Sequence, residues 1–178
     1  MHQRMGEIMK AADLRTANLL GALALALTDR IQAEIRSMAD QGETDCAALV
    51  TIQQRSGLSI EALGAILGLS QPGTVRLVDR LVEEGLVVRQ AGANRRTRAL
   101  VLSEKGRLRT RTILFGRERA LGRPLDAVPA AQRSSLGRAL EAMLGALAES
   151  AEEAWTICRL CDAAVCPRET CPTKRADG

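Results

Sequence analysis

The sequence predicts a mainly α fold: two short helices around a tight turn, a two-stranded β-hairpin directly after them, and a long helix on either flank. Three observations carry this. Aromatic residues are nearly absent, with one Phe (Phe115), one Trp (Trp155) and no Tyr, so the core must be built from Leu, Ala, Val and Ile, which favours helices packed side by side. Apolar residues recur at steps of three and four over most of the chain. Only residues 86–89 and 98–102 have the β-rich or alternating character of strands. At 178 residues the chain suits one compact domain, or a small domain with helical extensions.

Residues 13–40 form one helix in this reading, opened by Asp13 and closed near Gln41 and Gly42. Its apolar run 19–27 (LLGALALAL) has the length of a signal-peptide core. However, Glu7 and Asp13 lie upstream where positive charge is needed, and the helical stripe continues through Ile31, Ile35 and Met38. The run is too short to span a membrane. A cytoplasmic protein without a membrane partner is expected, and in that compartment stable disulfides are rare. Residues 45–54 form a second helix, broken at Ser56 and Gly57.

Ser59 caps a third helix over 59–67, with Ile60, Leu63, Ile66 and Leu67 inward. Gly68 and Leu69 make a tight turn. Ser70 caps the next helix, Pro72 sits in its first turn where a missing N–H does no harm, and Gly85 is its left-handed stop. Two short helices joined this closely are a helix-turn-helix, and the hairpin after them is a wing. A helix follows from Ser103 to Leu121, then a linker over 124–129, then a last long helix from Ala130 to about Cys158 with Leu136, Leu140, Met143 and Leu147 as its stripe. The division expected is 1–44 and 122–157 for dimerisation, 45–121 for DNA binding and 158–178 for a cysteine tail.

Charge is distributed unevenly. The chain carries +4 overall, yet residues 71–123 hold thirteen basic side chains against five acidic ones, nearly all the basic ones Arg. Arg binds phosphate and guanine edges bidentately; the plainer reading of a charge run is a solvated helix face. The only histidine is His2, which removes most His-based catalysis, and no enzyme is expected.

On a helical wheel, Gly73, Thr74, Leu77, Val78 and Leu81 face one way, while Gln71, Pro72, Val75, Arg76 and Asp79 face the other. Gln can pair with adenine, Val can touch a thymine methyl, and Arg can reach guanine or phosphate. Arg95, Arg96 and Arg98 cluster at the hairpin tip, where inserted Arg suits a narrow minor groove. The expected DNA-binding set is Ser70, Gln71, Pro72, Thr74, Val75, Arg76 and Arg80 on the helix, with Arg95, Arg96 and Arg98 on the wing.

Residues 58–106 resemble the MarR family of winged-helix transcription regulators. The matching residues are Leu69-Ser70, Arg76-Leu77-Val78-Asp79-Arg80-Leu81, Glu84-Gly85-Leu86-Val87, and Arg95-Arg96 through Leu102-Ser103-Glu104-Lys105-Gly106. The resemblance implies a homodimer on double-stranded DNA, built by helices at both chain ends, that binds a pseudo-palindrome and most often represses. It also implies a cleft between dimer helices and winged domain that can take a small-molecule effector. Asn94 departs from the family's usual Asp before the wing arginines.

Four of five cysteines lie in the tail as C-x2-C-x4-C-x4-C: Cys158, Cys161, Cys166 and Cys171. Four soft donors at this spacing can surround one centre. Zinc is the commonest occupant of such a set, but uneven spacing with Cys-Pro at Pro167 and Pro172 favours an iron–sulfur cluster. Unliganded thiols that oxidise reversibly are the plainest alternative. The expectation is a repressor switched by cluster or redox state, the tail resetting the dimer from its last helix. The alternatives are a structural zinc tail with a small-molecule effector and, of another class, an electron carrier. Cys46 is expected to be a small buried residue, and Trp155 to be packing near the tail.

Overall fold

The computed structural model describes residues 10–91, 98–166 and 170–173. Its elements are α1 (Ala11–Ala39), α2 (Glu43–Gln54), α3 (Ile60–Leu67), α4 (Gln71–Glu83), β1 (Val87–Ala91), β2 (Arg98–Leu102), α5 (Glu104–Asp126), α6 (Ala130–Leu147) and α7 (Ala151–Ile157). The strands are antiparallel and pair from Val87 with Leu102 to Ala91 with Arg98. A bridge between Leu58 and Leu100 fixes the hairpin to the loop ahead of α3.

One apolar core joins these parts. Leu49 and Ile52 of α2, Leu63 of α3, Val78 and Leu81 of α4, Leu86, Leu100 of β2 and Ile113 of α5 are buried together. Ile35 and Ala39 bring the C-terminal end of α1 into the same core, and Trp155 and Leu160 pack on it from the tail side. The rest of α1 is not covered: Leu14, Leu19, Leu20, Leu23 and Leu25 are exposed, as are Leu140, Met143 and Leu147 of α6.

Two expectations are corrected. The linker over 124–129 is helical as far as Asp126, so α5 contains Pro124. Pro124 sits in the last turn, where the lost N–H forfeits a single backbone bond and little helix follows to be kinked. The last helix is also not continuous to Cys158. Ala148 and Ser150 are extended, and Ser150 Oγ accepts from Glu153 N at 3.1 Å to start α7 afresh. Glu153 Oε2 reciprocates by accepting from Glu149 N at 2.8 Å, a capping arrangement that stops α6 from running on.

Candidate nucleic-acid interface and cysteine lobe

Local capping sets the helix-turn-helix. Ser59 accepts from Ala62 N at 3.1 Å to open α3. Gly68 closes α3 in the left-handed region at φ 64°, and Leu69 N donates to the Gly64 carbonyl at 2.9 Å. Ser70 then caps α4 at Gly73 N, 3.4 Å away. The helices approach so closely at Gly64 that a Cβ there would lie 2.6 Å from Thr74 Oγ1.

That contact corrects one expected DNA ligand. Thr74 is buried beneath Gly64, and its hydroxyl donates to the Ser70 carbonyl at 3.0 Å, so it serves the turn and presents nothing outward. Ser70, Gln71, Pro72, Val75 and Arg76 are exposed at the N-terminal end of α4. The first turn of α4 holds no acid, leaving the positive end of its dipole open to phosphate. Arg80 is turned towards α2, paired with Asp45 at 2.5 Å. Arg98 is exposed on the last described rung of the wing; Arg95, Arg96 and Asn94 lie outside the described residues. The wing's base is tied to α4 by Arg89, paired with Asp79 at 2.5 Å.

The basic run on α5 divides between surface and structure. Arg107 binds Glu104 and donates to the Leu102 carbonyl. Arg109 donates to the carbonyl of Ala39 at the end of α1, and Arg119 lies 3.8 Å from Glu34. These arginines hold α5 to α1 and to the wing, a role that charge alone did not announce.

The model of the MarR family matches residues 43–96, which span α2, the helix-turn-helix and the start of the wing. That stretch of the chain is similar to the MarR family. Among curated proteins no match is found. The chain is similar in structure to Rv1404 from Mycobacterium tuberculosis, at 27% identity and a TM-score of 0.65, covering 78% of this chain and 95% of that one. A MarR family protein from Bacillus stearothermophilus gives 23% identity and a TM-score of 0.67 over 76% and 96%. Rv2887, a MarR family protein of M. tuberculosis solved in complex with p-aminosalicylic acid, gives 21% and 0.58 over 71% and 96%. Together these show a winged helix-turn-helix fold of the MarR type in this chain.

The cysteines dock onto the winged helix-turn-helix domain of their own chain. Thr156 Oγ1 donates to the Ile66 carbonyl at 3.0 Å, and the Arg55 guanidinium lies 4.6 Å from the Trp155 ring centre. Gln54 Nε2, at the end of α2, donates to the carbonyls of Cys158 at 3.2 Å and Cys161 at 2.7 Å. This corrects the picture of a tail hanging from the last dimer helix: the lobe is held at the α2 and α3 ends. Nothing in the sequence singled out Gln54, because its partners are backbone atoms more than a hundred residues away.

Cys158 and Cys171 are buried, Cys161 is half-buried and Cys166 is exposed. Cys158 Sγ lies 3.9 Å from Cys171 Sγ, and Thr173 Oγ1 lies 3.0 Å from Cys171 Sγ and 3.6 Å from Cys158 Sγ. A hydrogen bond with Cys158, then burial, pushes the Cys161 thiol up, with Arg117 pulling the other way. Burial, then the nearby charge and hydrogen bond of Cys171, push Cys166 up. Cys158 and Cys171 are thus brought side by side. Among the described residues no three His, Cys, Asp or Glu side chains are arranged to hold a metal ion as they stand. Cys46 is buried as expected, its thiol pushed up to about 12 chiefly by burial.

A cavity of about 270 Å³ lies where α1 meets α2, lined by Ile31, Ile35, Arg36, Cys46 and, from the cysteine lobe, Leu160. No helix among the described residues is long and apolar enough to cross a membrane.

Proposed function

We propose that the protein is a homodimeric, sequence-specific DNA-binding regulator that represses transcription by occupying a pseudo-palindromic operator. The observation that carries this reading is the exposed row Gln71, Pro72, Val75 and Arg76 on α4, at a helix N-terminus beside an Arg-bearing wing. The row has the size and chemistry to enter a major groove while the wing follows the backbone. The uncovered leucines of α1 and the exposed apolar stripe of α6 supply the two-fold interface, since exposed apolar surface of this extent marks association. The four cysteines are the sensor, a site for an iron–sulfur cluster or zinc.

A second reading has its own observation. The cavity between α1 and α2 suits a small effector, and Rv2887 was solved with p-aminosalicylic acid. In that reading the lobe closes one wall of the ligand site through Leu160.

Binding-site selection from random duplexes with the full-length protein tests the proposal. Enrichment of an inverted repeat with half-sites about one helical turn apart is expected; no enriched motif contradicts it.

A further inference from the structure

The four cysteines take no part in the exposed face of α4 or in the wing, yet the lobe is built around them. The buried sulfurs of Cys158 and Cys171 stand 3.9 Å apart. A tetrahedral ion with Zn–S bonds of ~2.3 Å holds its sulfurs about 3.8 Å apart, so this pair already spans one edge of such a site. Cys161 and Cys166 lie in the same lobe, Cys161 near enough to Cys158 and Cys166 near enough to Cys171 to perturb each other's titration. In a four-iron cube each thiolate meets a different iron, which sets the sulfurs farther apart than one shared ion does.

The surroundings suit the same occupant. The Asp162 carboxylate, the acid nearest in sequence, is engaged locally by Ala164 N at 2.9 Å. Thr173 Oγ1 lies against both buried sulfurs and can donate to them once they are thiolates. Cys161 and Cys166, the less buried pair, have room to turn inward as an ion enters.

The lobe is also wired to the reading head. The Gln54 carboxamide holds the carbonyls of Cys158 and Cys161, the two residues whose side chains must draw together. Thr156, two residues before Cys158, holds the last turn of α3 through Ile66. We infer that the four cysteines bind one thiophilic divalent cation, zinc in class, and that Gln54 and Thr156 carry its occupancy to the helix-turn-helix of the same chain. The regulatory half of this statement rests on the DNA-binding reading; the metal site does not.

The test uses full-length protein purified without oxygen, stripped by chelator, and titrated with Zn(II). Native mass spectrometry with metal analysis is expected to give one ion per chain, lost in Cys158→Ser and in Cys171→Ser. Iron with acid-labile sulfide after reconstitution, or a Cys158–Cys171 disulfide in protein that takes no zinc, would overturn the single-ion site. Hydrogen exchange then reads the coupling without DNA. Loading is expected to slow exchange in α3 and α4 at least about fivefold, the lower end of ordinary coupling. Gln54→Leu should keep one ion per chain but lose most of that protection, with Thr156→Val as the second variant if Gln54→Leu fails to fold. Unchanged protection in the variant, or none in the wild type, overturns the coupling. If exchange responds as expected and the selected DNA is still not bound, the DNA-binding reading fails and this inference stands.

Discussion

The Thr156 hydroxyl donates to the Ile66 carbonyl at 3.0 Å, across ninety residues of sequence. Ile66 lies in the last turn of α3, whose carbonyls have no partner further along the helix. Thr156 supplies one, so α7 acts as an outside cap on the helix-turn-helix. Thr156→Val keeps the shape and removes the donor. Urea unfolding is expected to show a loss of about 0.5–1.5 kcal/mol; an unchanged midpoint would mean that water replaces the hydroxyl.

The two faces of α4 separate binding from stability. Arg76→Ala and Gln71→Ala alter exposed side chains and are expected to weaken binding to a selected operator by about 1–3 kcal/mol each, with the melting temperature unmoved. Arg80→Ala breaks the pair with Asp45, whose Arg side is half exposed. Its effect on stability should therefore stay within about 1 kcal/mol, and its effect on sequence preference should be smaller than that of Arg76→Ala. Anisotropy titrations beside thermal melts compare the three.

Gly106 marks where α5 meets the wing. A Cβ there would stand 2.0 Å from the Leu86 carbonyl oxygen, a backbone atom that cannot swing aside. Gly106→Ala is expected to cost about 1–3 kcal/mol or more, as overpacking does. Gly122→Ala, in the same helix with open space around it, is the control and should be neutral or slightly stabilising. Comparable losses in both would contradict the steric account, because helix propensity by itself favours Ala at either position.

Cys46 titrates near 12 in the folded chain against an ordinary 9.0. The folded state keeps the proton that the unfolded state gives up. The stability this adds is fully present below pH 9 and is lost as the pH rises towards 12. At neutral pH iodoacetamide should leave Cys46 unmodified in native protein and modify it in urea. Equal labelling in both states would contradict its burial.

What the sequence made legible follows from the range of the forces involved. Ser59, Ser70, Gly68 and Gly85 act within a turn of their own position, so the helix-turn-helix was drawn correctly from residue types alone. The break before α7 was equally local: Ser150 with Glu153 three residues later is a capping pair, hidden by the apolar stripe that crosses it. Thr74 sits on the apolar side of its helix and belonged with the core residues around it. The roles of Arg109, Gln54 and Thr156 could not be read, because each bonds a distant backbone carbonyl and any long polar side chain looks alike until the fold brings that carbonyl near. The grouping of the cysteines in one tail is plain in the sequence; their docking on α2 and α3 is not, since it depends on where α7 begins.

The central claim, that α4 reads sequence in DNA, is tested most directly by one comparison. Affinity is measured for the selected inverted repeat and for the same bases scrambled, with full-length protein at fixed salt. A ratio of about 10³ or more is expected of a specific regulator, with Arg76→Ala narrowing it. A ratio near one would contradict the account and leave the basic surface as an unspecific phosphate binder.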